Sequence, residues 1–242
     1  MPISYEEFER LPEFRSLDNR IRAHLEDLRD PLYLLELCRR YVEKEKRDAV
    51  YILTFEYLQR HSWSSKHFSL ALGHFLRVWN ASYYRTHPDV VATLDSDLEQ
   101  LCESGREQLE ALSKSRLWNL SAEEISSAQK LFKNFSEKRS IAWTGASKAL
   151  HMIVPHTLMM WDSRIRRAYH KLHKHGNEDV AQCYFEFIYQ SKDLANEILK
   201  KSTEPELSES HPSHQKYAFR KTLAKMIDEC NYMQFSWKQR MV

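Results

Sequence analysis

Residues 141–167 read IAWTGASKALHMIVPHTLMMWDSRIRR, and the order of residue types there dictates a turn and two helices. Thr144, Gly145, Ala146 and Ser147 are small enough for a tight turn. Lys148, Ala149, Leu150, Met152 and Ile153 follow with helical spacing, and Pro155, which has no N–H to donate, ends the run. Asp162 is a strong N-cap residue for a second helix that carries Arg164, Arg166 and Arg167. A lysine and an aspartate 14 positions apart thus stand near two helix starts.

The flanks read as helices by the same criteria. Ser4 and Glu7 have the spacing of a capping box, and Leu17, Ile21 and Leu25 recur on one helical face. Asp30-Pro31 sets a cap and a first-turn proline for a helix to about Lys46, with Leu34, Leu35, Cys38 and Tyr41 on one side. Further helices are expected over 48–59, 65–84 and 89–112. Ser121 and Glu124 form a second capping box for a helix through Phe135. Asn177 is placed to cap a long helix to about Lys200, and a last helix is expected from Lys216 to about Met233. The polar, proline-bearing stretch 203–214 reads as a linker.

With 4 Gly and 7 Pro in 242 residues, the chain lacks the turn residues that a many-stranded protein requires. The expectation is an all-α fold: a two-lobed helical bundle with a central helix-hairpin-helix-like element. The N-terminal helical lobe would span 1–118 and the hairpin lobe 119–176. The helices of 177–242 would pack back on the first lobe, and the length also suits one compact domain. A hydrophobic fraction of 42% supports a real core. The four cysteines, Cys38, Cys102, Cys183 and Cys230, are widely dispersed, which fits reduced thiols and no zinc or iron–sulfur site. The acidic N-terminus has no apolar signal region, and no run reaches membrane-spanning length. These features point to a soluble, cytoplasmic monomer, nucleoid-associated if the source is bacterial.

Lys+Arg 36 against Asp+Glu 34 leaves a net charge of only +2, so any nucleic-acid function must rest on local charge. Lys130, Lys133, Lys138 and Arg139 precede the central turn, and Arg164, Arg166, Arg167, Lys171 and Lys174 follow it. His170, His173 and His175 lie among the latter and have no carboxylate spaced to complete a metal site. Backbone N–H groups of a small-residue turn at a helix start can approach a phosphate, aided by the helix dipole.

The pattern G-A-S-K-A-L, Pro155 and M-W-D-x-x-I-R resembles the helix-hairpin-helix DNA glycosylase superfamily, especially its oxoguanine-glycosylase-like and uncharacterised bacterial branches. Thr144 and Ala146 stand at hairpin positions that are glycine in the family. The resemblance implies Lys148 as nucleophile and Asp162 as the essential carboxylate. Thr144, Gly145, Ala146 and Ser147 would form the phosphate-gripping backbone, with Lys138, Arg139, Arg164, Arg166 and Arg167 as further DNA contacts. Trp143, His151, Trp161 and Met160 are near enough in sequence to line a base pocket. No cofactor or metal is implied. The partner would be double-stranded DNA carrying a damaged or modified base, with no membrane partner. An oxidised purine such as 8-oxoguanine is the default substrate, and a hypermodified phage cytosine, removed in antiviral defence, is the contender.

Each residue also has a plainer role. Asp162 caps a helix whatever else it does, and Lys148 alone would be a solvated helix lysine. The rival functions are a non-catalytic helical DNA-binding or adaptor protein and a helical protein-interaction module.

Overall fold

The computed structural model describes residues 19–169, 179–202 and 221–237, and every regular element among them is helical. In chain order these are α1 (Asn19–Leu28), α2 (Pro31–Lys44), α3 (Asp48–Leu58), α4 (Lys66–Trp79), α5 (Ala81–Thr86), α6 (Leu94–Ser104), α7 (Arg106–Ser113), α8 (Ala122–Glu137), α9 (Ala142–Ile153), α10 (Ser163–Tyr169), α11 (Val180–Lys201) and α12 (Leu223–Asn231). Short 3₁₀ turns cover Pro88–Ala92 and Leu117–Asn119, and a π turn, Tyr232–Trp237, extends α12. The fold is all-α. None of the described helices is long and apolar enough to cross a membrane.

Local signals set several boundaries as the sequence predicts. The Asp30 carboxylate accepts from Leu32 N at 3.0 Å ahead of the Pro31 start of α2. In the α8 capping box Glu124 N donates to Ser121 Oγ at 3.1 Å, and Ser121 N donates to Glu124 Oε2 at 2.7 Å. The cap of α11 is Asp179, which accepts from Ala181 N and Gln182 N. Asn177 lies outside the described residues, as do the Ser4 box and the 203–214 linker. Thr222 caps the last helix, and its expected start at Lys216 is likewise outside them.

Two helices expected to be continuous are broken. The 65–84 helix divides at Asn80, whose backbone (φ −117°, ψ 30°) leaves the helical region. The 89–112 segment divides into a 3₁₀ turn, α6 and α7. At the Gly105 break between the last two, a Cβ would sit 2.7 Å from Leu131 Cδ2 of α8, so a larger residue would push that side chain aside.

Helix α8 packs on α9 and α11, and α9 also meets α3 and α4. Helix α12 packs on α2 and α11, while α10 meets the π turn. An aromatic cluster ties α8, α11 and the segment after α9 together. Phe132 stacks on Tyr184 at 4.1 Å, and Trp161 packs edge-on to Phe132 and stacked on Phe187. The break at Asn80, the start of α10 and the end of α12 are thereby brought to one place.

Candidate active site

The structure moves the expected turn. The chain reverses over 138–142, where the N–H groups of Ile141 and Ala142 both donate to Lys138 O at 2.9 Å. Ala142 takes a φ of 54°, a left-handed conformation that costs a non-glycine residue roughly 1 kcal/mol. Thr144, Gly145, Ala146 and Ser147 are therefore helical, and the last three are buried. Their small size suits close packing. A Cβ on Gly145 would lie 3.1 Å from Ile141 Cγ2 and 3.3 Å from Asn80 Nδ2. The cleft reaches the first turn of α9, which no side chain caps, and Lys148 beyond it.

Lys148 leaves the buried face of α9 toward the Asn80 break. Its Nζ donates to Trp79 O at 2.9 Å, a backbone carbonyl left without a helical partner because the helix stops there, and to the side-chain Oδ1 of Asn80. Burial lowers the lysine pKa to about 8; Asp162 pulls it up, and Arg47 and Lys225 push it down. About a tenth of the amine is then neutral at pH 7.

Asp162 both caps α10 and faces this lysine's surroundings. Its Oδ1 accepts from the N–H groups of Arg164 and Ile165, each at 2.8 Å, and Oδ2 accepts from Ser236 Oγ at 3.0 Å. Ser147, one residue before Lys148, pins the chain just ahead of the aspartate. Its Oγ accepts from Trp161 N at 3.0 Å and lies 3.0 Å from Trp161 O. Ser147→Ala removes this buried acceptor and is expected to cost about 1–3 kcal/mol of stability, read from the urea midpoint.

The pair stands where two cavities meet. A cleft of about 740 Å³ runs between the α4–α5 junction, the first turn of α9 and the start of α10, with Tyr83, Arg85, Trp143 and Arg164 in its walls. A chamber of about 90 Å³ lies alongside it, lined by Tyr41, Met160, Ile165, Asp228 and Tyr232. Arg47, Trp79, Lys148 and Asp162 line both and form the doorway. Arg47 is fixed there. Its Nη2 donates to Glu45 Oε2 at 2.6 Å and to Tyr232 OH at 3.2 Å, and its Cζ lies 4.8 Å from the Trp79 ring centre. Burial alone would raise the Glu45 pKa, but bonds from Arg47 and Tyr232 prevail and hold it at about 2.

Behind the chamber α12 carries buried ion pairs. Lys225 meets Asp228 at 2.9 Å, and Lys221 meets Asp48 at 2.8 Å and Glu229 at 2.6 Å. Lys225 Nζ also lies within cation–π range of Tyr41, Tyr51 and Trp79.

The other residues expected in the site divide. Trp143 lines the cleft, with the Arg166 guanidinium 5.0 Å from its ring centre. Met160 lines the chamber. His151 and Trp161 do not line either cavity, because both are completely buried. His151 is a core histidine between Tyr51 OH at 3.0 Å and Leu158 O at 2.6 Å, and burial drives its pKa to about 3. Arg164 donates to Ser236 O at 2.6 Å on the cleft wall. Arg167 is exposed and bonds to Ser163 O. Lys138 pairs with Asp97 at 3.3 Å and Arg139 with Asp89 at 2.9 Å, so the charge upstream of the turn is partly neutralised. Lys171, Lys174, His170, His173 and His175 lie outside the described residues.

Sequence reasoning missed Arg47, Trp79, Asn80, Asp228, Tyr232 and Ser236. Trp79 matched a core stripe, and nothing in the periodicity marked Asn80 as a break. A signal for α12 was present. Lys221, Lys225, Asp228 and Glu229 interrupt an otherwise apolar run at spacings of three and four, which puts opposite charges on one buried face.

Among the described residues no three His, Cys, Asp or Glu side chains lie together in a way that could hold a metal ion. Comparison of the chain with protein-family models, curated proteins and solved structures finds no match.

Proposed function

We propose that this protein is a DNA glycosylase that breaks the N-glycosidic bond of a damaged or modified base. The observation that carries this reading is the placement of Lys148 and Asp162 together at the doorway between a wide cleft and a smaller chamber. A duplex laid along the cleft would set its phosphates near the uncapped first turn of α9, helped by Arg85 and Arg164. The target nucleotide would rotate out of the stack, pass the doorway and rest against Trp79 and Tyr41.

The chemistry then falls to the doorway pair. As the C1′–N bond breaks, its electron pair leaves with the base and positive charge develops on the sugar. The Asp162 carboxylate stabilises that charge. The neutral Lys148 amine donates its pair to C1′ and loses a proton to the departing base, which leaves neutral. Opening of the sugar ring converts the adduct to a Schiff base, and water later restores the lysine. Water attacking C1′ in place of the amine would give the same free base and an abasic site. An oxidised purine such as 8-oxoguanine and a hypermodified phage cytosine, as in antiviral defence, both fall within the proposed substrate class.

Alkali cleavage of duplexes carrying oxidised, alkylated, deaminated or phage-modified bases tests this directly. On a processed duplex the rate of adduct formation should rise about tenfold per pH unit up to about pH 8 and level off above it, as the Lys148 amine loses its proton. A profile that is flat from pH 6.5 to 9 would remove the lysine from the rate-setting step. The two acceptors that Lys148 already satisfies favour a rival reading, a non-catalytic DNA-binding protein with a structural lysine. That rival requires duplex binding without base release.

A further inference from the structure

The chamber has one wall that the doorway chemistry does not use. Asp228, on the last turns of α12, is only 5% exposed and lines the chamber together with Trp79 and Tyr41. Its Oδ2 accepts from Lys225 Nζ at 2.9 Å. Its Oδ1 accepts no hydrogen bond from any described residue, so one oxygen of a largely buried carboxylate borders the cavity with its lone pairs unspent. Burial pushes the Asp228 pKa up and the Lys225 ammonium opposes that rise; as the carboxylate paired with Lys225 the group accepts hydrogen bonds and cannot donate them. Among the described residues Arg47 is the one cation on the chamber wall besides Lys148; it uses Nε and Nη2 on Glu45 and Tyr232, and its Nη1 bonds to none of them.

On the glycosylase reading, we infer that Asp228 reads the flipped base by accepting a hydrogen bond from an exocyclic amino group. Arg47 supplies the complementary donor to a ring nitrogen or carbonyl on the same edge. The substrate class is therefore a base that keeps its amine, of the cytosine, adenine or guanine type, carrying its lesion or modification elsewhere. Deaminated bases such as uracil and hypoxanthine would set a carbonyl oxygen against the carboxylate. Two acceptors would then face each other with no donor between them, the arrangement by which polar pockets reject near-isosteres.

The test uses the full chain with Asp162→Asn, so that base release does not obscure binding. Dissociation constants are measured for duplexes carrying cytosine, uracil, adenine or hypoxanthine opposite an abasic analogue. Cytosine should bind at least about tenfold tighter than uracil, and adenine than hypoxanthine. Adding Asp228→Asn, whose amide can turn an N–H toward the base, should bring both ratios to one or invert them. Ratios near one in the parent, or unchanged by Asp228→Asn, would overturn the assignment. The parent ratios need no Asp228 variant, so they decide the matter even if losing Lys225's partner unfolds the double variant. Tight duplex binding with flat ratios removes only the role of Asp228. Absence of duplex binding removes this role and the glycosylase reading together.

Discussion

Asp162→Asn is expected to lower base release by at least about a hundredfold while leaving the fold and duplex affinity close to those of the parent. Asparagine is as good an N-cap as aspartate and nearly the same size, so its Oδ1 can still accept from the N–H groups of Arg164 and Ile165. Ser236 can rotate its hydroxyl to accept from the new amide. What the substitution removes is the charge, the property needed to stabilise a cationic sugar. A second consequence sharpens the test. Asp162 raises the Lys148 pKa, so its neutralisation increases the fraction of neutral amine at pH 7. Were amine availability limiting, the variant would be faster. A large loss therefore reports on the sugar cation, whereas a variant within a few-fold of the parent would leave Asp162 as a cap and nothing more.

The second large effect is expected at Lys148. Lys148→Ala should eliminate the borohydride-trapped complex altogether, because no other amine on the described doorway can form a Schiff base with C1′. Trp79 O and Asn80 Oδ1 also lose their donor, at a cost of about 1–3 kcal/mol that water from the cleft would reduce. Lys148→Arg separates the two effects. A guanidinium can donate to the same acceptors but stays protonated, so trapping should still vanish while stability recovers. Base release that survives both substitutions, measured by alkali cleavage, would assign the displacement to water and confine Lys148 to positioning.

The helical class was legible because its signals are local. The capping box at Ser121, the Asp30-Pro31 start and the scarcity of glycine each act within a few residues, and each is found where the sequence places it. Two errors share a physical cause. The small residues Gly145, Ala146 and Ser147 suit a tight turn and a tight helix contact equally well, and only the tertiary packing of α9 on α4 and α8 selects the contact. The break at Asn80 is likewise invisible to periodicity, since Trp79 and Tyr84 are both buried on either side of it. The doorway and the chamber behind it need residues from α2–α3, the α4–α5 junction, α9, α10 and α12, and no window of sequence contains that meeting. Lys148 and Asp162 were accessible because Ser147 links their segments across only 14 positions. Asp228, 66 residues beyond Asp162, was not.

The most direct measurement is mass spectrometry of the borohydride-reduced complex, taken from the same incubations that are assayed for alkali-labile sites. If Lys148 and Asp162 perform base excision, at least one modified duplex yields both an abasic site and a reduced deoxyribose adduct, with the adduct mapped to the peptide containing Lys148. Asp162→Asn should suppress both products. Alkali-labile sites and adducts absent from every duplex, or an adduct on a lysine remote from the cleft, would contradict it.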